Sequence, residues 1–168
     1  KTKLYYYPTA KTGSSFTIID GVTSIEQNAF ADCKNINTIV TPKGLATLGA
    51  EAFLNCTNLS KITLNEGLKT IEINAFGVCE SLEEIKLPST VETIGLIAFQ
   101  GCIKLTKIDI PISTTFIEPG AFLNCSKLAS INVDSLNNNY TNYNNDGVLY
   151  TKDMTTIVRY PQAKSGTE

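Results

Sequence analysis

Marked only for apolar and polar positions, the chain repeats itself every 23 residues. Ala-Phe pairs ending at Phe30, Phe53, Phe76, Phe99 and Phe122 keep step with Cys33, Cys56, Cys79, Cys102 and Cys125. Three residues beyond each Cys stands Ile36, Leu59, Leu82, Leu105 or Leu128, and three further Ile39, Ile62, Ile85, Ile108 or Ile131. Two beyond those come Thr41, Leu64, Leu87, Ile110 and Val133. Apolar residues at this last spacing, with β-branched types abundant, predict a short strand with alternate side chains turned inward. A Pro or Gly turn follows, then a second apolar column at Ile25, Leu48, Ile71, Ile94 and Ile117, which also reads as extended. The remaining Asn-Ala-Phe-x-x-Cys stretch has no β-branched run, and the pattern predicts that it returns the chain in a helical or 3₁₀ turn.

A fixed period of this length belongs to stacked repeats, because one repeat cannot bury both its faces while a stack builds a continuous core. The predicted architecture is a repeat solenoid with one principal short parallel strand and one helical or 3₁₀ turn per coil. Five full coils and a partial one occupy 13–134, since Phe16 and Ile18 fall in register with the strand columns. After Val133 the register stops. Asp146-Gly147 signals a turn, and Val148 to Tyr150 and Thr156 to Tyr160 read as strands joined at Lys152-Asp153. Residues 135–168 are therefore expected as a β-hairpin cap or an element between blocks. Tyr7-Pro8-Thr9-Ala10-Lys11 matches Tyr160-Pro161-Gln162-Ala163-Lys164, so residues 1–12 are expected as the tail of a preceding irregular element.

Charge narrows the function. With 14 basic and 16 acidic residues the net charge is -2, too balanced for a phosphate-backbone binder, and nucleic acid is excluded as the expected partner. No apolar run approaches the roughly 18 residues of a membrane span, so no membrane insertion by this segment is expected. The absence of His rules out a Ser-His-Asp or Cys-His set and any His-ligated zinc. The five cysteines are read as buried, reduced thiols: equivalent side chains in a parallel stack point the same way and five is odd, which disfavours a disulfide set. A linear file does not surround one point with four ligands, so neither metal nor cofactor is expected.

Cys-x-x-Leu-x-x-Ile-x-Leu-Pro preceded by Ile-x-x-x-Ala-Phe, cleanest from Ala75 to Pro88 and from Ala98 to Pro111, resembles the BspA-type leucine-rich repeat. The Asn-Asp-Gly-Val-Leu-Tyr segment followed by Tyr-Pro is similar to the irregular element that punctuates arrays of that family. The resemblance implies a leucine-rich-repeat right-handed β-solenoid from a secreted or cell-surface protein of host-associated microbes. It implies an adhesin whose partner is a protein, with host extracellular matrix and plasma proteins such as fibronectin and fibrinogen as candidates. A monomer is expected.

The outward strand positions are the candidate ligand surface: Thr38, Lys61, Glu84 and Lys107 in one row, Thr63, Lys86 and Asp109 in the next. Against a binding role stands the expectation that Lys61-Glu84-Lys107 and Lys86-Asp109 neutralise one another as cross-strand neighbours, each pair favoured by roughly 0.2 to 1 kcal/mol. A structural spacer that projects another domain is the alternative function. A polysaccharide-active β-solenoid enzyme is a remote one, since neighbouring lysines would depress the pKa of Glu84 and Asp109, the wrong direction for a general acid. The Tyr-rich segment from Tyr140 to Tyr150 reads as packing on the last coil rather than as a binding loop.

Overall fold

The computed structural model describes residues 2–165; residue 1 and residues 166–168 of the expected end segments lie outside the described residues. The chain winds into about six turns of a parallel β-solenoid, and each coil contributes extended backbone twice. One face is a continuous six-stranded sheet of β1 (Thr2–Leu4), β3 (Val22–Ile25), β5 (Thr47–Leu48), β7 (Thr70–Ile71), β8 (Thr93–Ile94) and β10 (Phe116–Ile117). The other carries β2 (Ser15–Thr17), β4 (Thr38–Val40) and β6 (Lys61–Thr63) in one sheet, and β9 (Lys107–Ile110) with β11 (Ser130–Val133) in a second. The unbroken sheet is thus built by the second apolar column, and the strand expected to be the principal one is interrupted. In register, Ile39 lies opposite Ile62 and Ile108 opposite Ile131, so each column becomes a ladder.

Between the strands the ladders close a dry core. The rings of Phe30, Phe53, Phe76, Phe99 and Phe122 stack with centroids 5.1 to 5.7 Å apart and nearly parallel planes, 8° between Phe76 and Phe99. Each buries completely, worth roughly 1.5–3 kcal/mol in transfer free energy with about 0.5–1.5 kcal/mol more per aromatic pair. Tyr7 extends the file by one ring, 4.9 Å from Phe30, and its N–H donates to Ala29 as Phe30 donates to Ala52. Residue 7 stands 23 before residue 30, so the period reaches further toward the N-terminus than the strand columns alone indicate.

The return segment differs from the helical or 3₁₀ turn expected: no helix occurs among the described residues. In the coil from Glu26 to Cys33 the N–H groups alternate between two partners. Ala29, Ala31 and Cys33 donate three residues back, to Glu26, Asn28 and Phe30, whereas Asn28, Phe30 and Asp32 donate to Ala50, Ala52 and Leu54 of the next coil at 2.8 to 3.0 Å. The alternation needs a left-handed residue in each half turn, which Asn28 (φ 59°) and Asp32 (φ 61°) supply. A 3₁₀ helix would spend those donors within its own coil. The same two columns hold Glu51, Asn74, Ile97 and Gly120, and Asn55, Val78, Gly101 and Asn124, all at positive φ.

Beyond β11 the expected hairpin forms from β13 (Leu149–Thr151) and β14 (Ile157–Arg159), and β12 (Tyr140–Thr141) pairs with it as a third antiparallel strand. Side-chain amides end both solenoid sheets here. Asn137 is fully buried; its Nδ2 donates to Pro111 and Thr114 carbonyls at 2.7 and 3.0 Å, and its Oδ1 accepts from the N–H groups of Asn139 and Tyr140. Tyr140 Oη accepts from Ile117 N–H at 2.9 Å. Asn142 acts as a surrogate strand: it accepts from Val133 N–H and donates to the carbonyls of Ile131 and Val148.

Candidate binding face

All five thiols are free and buried. Each donates to the carbonyl of the aromatic residue 26 positions earlier, so Cys56 meets Phe30, Cys79 Phe53, Cys102 Phe76 and Cys125 Phe99 at 3.0 to 3.2 Å, and Cys33 reaches Tyr7 at 3.9 Å. Burial pushes the Cys33 and Cys125 thiols up to about 11 and Cys56 to about 12, and raises Cys79 and Cys102 well above the ordinary range. A thiol held protonated in this way is neither nucleophile nor metal ligand. Among the described residues no group of three or more His, Cys, Asp or Glu could hold a metal ion. The Cys and Phe columns therefore belong to the core, and ligand chemistry must come from the outward positions.

Lys61, Thr63, Glu84, Lys86, Lys107 and Asp109 are exposed and Thr38 is half-buried, all on the face of the interrupted sheet. Register places Thr38 beside Lys61, Lys107 beside Ser130 and Asp109 beside Asn132. Neither Lys61-Glu84-Lys107 nor Lys86-Asp109 forms an ion pair within 4.0 Å. The pairs among the described residues are instead Lys3–Glu26, Lys69–Glu92 and Lys104–Glu83, the last at 3.8 Å. Asp109 accepts from Asn132 Nδ2 at 2.7 Å, so its nearest polar partner is an amide.

The cause is a parting of the sheet. Residues 83–88 form no strand, and no backbone hydrogen bond joins 60–64 to 83–87 among the described residues; on the other side only Thr106 N–H to Glu83 carbonyl, at 3.3 Å, ties this segment to the next coil. The inward side chains still point home, but Ile62 and Ile85 retain 5% and 6% exposure where Ile39 and Ile131 have none. A cleft of about 420 Å³ opens there, lined by Lys61, Glu84, Lys86, Lys107 and Asp109 above Ile62 and Ile85. Pro88 does not explain the parting, because Pro42 and Pro111 occupy the same column beyond strands that pair normally. Nothing in the side chains of Glu84 to Lys86 explains it.

The arrangement offers unpaired ammonium and carboxylate groups over an apolar floor, suited to holding another chain. Sequence reasoning located these residues through the alternation of the strand pattern. It missed Glu83, Lys104 and Lys127, which line a second depression of about 790 Å³ adjoining the first. Their signal is the polar position flanking each Leu column, which the strand alternation does not cover.

Solved structures share this fold. A leucine-rich repeat protein from Eubacterium ventriosum superimposes with a TM-score of 0.84 at 31% identity, over 92% of this chain and 40% of that one. A leucine rich cell surface protein of Faecalibacterium prausnitzii gives 0.77 at 28% identity, over 98% and 39%, and the leucine-rich repeat protein of T. pallidum gives 0.73 at 32%, over 77% and 62%. The chain thus spans between 39% and 62% of these relatives' lengths. None of the curated proteins matches it significantly. The family model described as the BspA type leucine rich repeat region matches six copies, over residues 3–129 and 47–158. Proteins of this kind are protein-interaction or surface scaffolds, typically without catalysis. With the 23-residue coil, the Phe and Cys files and this match in agreement, the chain belongs to the BspA-type leucine-rich repeat family.

Proposed function

We propose that this chain is a non-catalytic protein-binding module of a secreted or cell-surface protein, an adhesin that holds its partner on the face carrying Thr38, Lys61, Thr63, Glu84, Lys86, Lys107 and Asp109. One observation carries the reading: Lys61, Glu84, Lys86 and Lys107, with no ion-pair partner within 4.0 Å, line a cleft over the parted sheet and are available to a partner. Its match to a cell surface protein of F. prausnitzii supports the location. The division into a solenoid at 13–134 between end segments 1–12 and 135–168 goes with this reading, with β1 and Tyr7 lending a strand and a ring to the first coil.

The test is capture from solution by immobilised fibronectin, fibrinogen and other matrix or plasma proteins. The intact domain is expected to be retained by at least one, and Lys61→Glu with Lys107→Glu to weaken retention roughly tenfold while leaving the melting temperature unchanged. Capture indifferent to that double change removes the face from the reading. Failure with every partner favours the spacer, in which the regular stack only sets distance between other parts of the molecule.

A further inference from the structure

The parted sheet is one stretch of a longer groove. The clefts of about 790 and 420 Å³ share Lys61 and Glu84, and the second shares Lys86 and Asp109 with a third of about 410 Å³ that continues past Pro111 to Asp134. All three follow residues 83–89, so the groove runs along the strand direction for roughly 20 Å, the length of about seven extended residues. Its walls differ in charge from end to end. The first depression sets Lys61, Lys104 and Lys127 against Glu83 and Glu84, a balance of 3 − 2 = +1. The third sets Lys86 against Glu66, Asp109 and Asp134, a balance of 1 − 3 = −2. Between them the floor is Ile62, Leu64 and Ile85, flanked by the backbone groups that the missing ladder leaves without partners.

Three features select the ligand. The groove is linear, its floor is apolar with free backbone donors and acceptors at the margin, and no aromatic ring lines it, which removes the stacking platform expected of a sugar-binding site. We propose that this groove, within the protein-binding face proposed above, takes an extended peptide segment of the partner, acidic where it meets Lys104 and Lys127, apolar at its centre, and basic where it meets Glu66 and Asp134. The exposed lysines confer orientation more than affinity, because opposed charges reject a segment laid the wrong way.

Fluorescence anisotropy with labelled peptides of about seven residues tests this on the whole chain. One probe carries two Asp, a Val-Ser-Val centre and two Lys; a second reverses that order, a third is acidic throughout and a fourth basic throughout. One of the two dipolar orders is expected to bind at least roughly tenfold more tightly than the other three probes, with the preference shrinking as salt rises. Lys104→Glu with Lys127→Glu, both at the surface, is expected to abolish the preference and to raise binding of the basic probe. Equal binding of all four probes, no binding by any, or displacement of the dipolar probe by heparin as readily as by unlabelled peptide overturns the proposal. A matrix protein captured through Lys61 and Lys107 that no peptide displaces overturns the peptide alone and leaves the binding face standing. Capture indifferent to those lysines removes the face as well.

Discussion

Alkali should unfold this protein through its cysteines. The folded thiols of Cys33 and Cys125 have pKa values of about 11 and that of Cys56 about 12, and Cys79 and Cys102 are raised well above the ordinary range, because a thiolate in the buried file would lose its hydration. In the unfolded chain the same groups ionise near 8.5. The folded pKa is raised, so the stability tied to these groups is complete below about pH 8.5 and drains away as pH climbs toward the folded values. At pH 10 the unfolded state gains 2.303RT·log(1 + 10^1.5), about 2 kcal/mol per thiol. Summed along the file this reaches several kcal/mol, a large share of the stability of an ordinary domain. Urea titrations with reductant at pH 7.5, 8.5 and 9.5 are expected to show a midpoint that falls ever more steeply. Thiolate absorbance in the ultraviolet should appear together with loss of the β signal. Cys79→Ala, which removes one titrating group of five, should flatten the slope by about one-fifth. Thiolate absorbance that rises from pH 8.5 while the β signal is intact, or a midpoint equal at pH 7.5 and 9.5, would refute the reasoning.

Other expectations rest on single residues. Asn137→Ala strands two carbonyls and the Tyr140 N–H in a buried site and also frees the partly buried Asn139 N–H, so a loss of about 3 kcal/mol is expected in urea; Tyr140→Phe, which deprives only the Ile117 N–H, should cost about 1–2 kcal/mol. Val78→Asn and Ile97→Asn are expected to stabilise by about 1 kcal/mol each, seen as a rise of roughly 2–4 °C in melting temperature, because both β-branched residues hold a left-handed backbone (φ 57° and 50°) that Asn accepts at equivalent positions. Gly95→Ala should destabilise by roughly 2 kcal/mol or more despite a negative φ, since its methyl would sit 2.7 Å from the Glu72 carbonyl carbon and 2.8 Å from the Ile73 nitrogen; a neutral result would show that neighbouring coils can separate cheaply.

The inward side chains announce themselves in the sequence because burial requires a particular size and polarity at each recurrence: Phe76 could be placed from Phe53, and Cys102 from Cys79. Even the departure at Thr41 is resolved locally, its hydroxyl donating to the Thr63 carbonyl at 3.2 Å. The return turns left a weaker trace. Their left-handed positions favour Asn, Asp and Gly, yet Glu51, Val78 and Ile97 interrupt the columns, and a stretch without β-branched residues then resembles a short helix. The parted sheet left none. Ile85 and Leu87 obey the period as faithfully as Ile108 and Ile110, and an unmade backbone hydrogen bond does not alter which side chain faces inward. The groove was therefore visible as a row of outward residues but not as an opening.

Asn137, Tyr140 and Asn142 have a consequence for self-association. With their side chains occupying the last rungs, neither face of the solenoid presents a vacant row of backbone groups at that extremity. A second copy of this domain would therefore find no template there on which to add a strand.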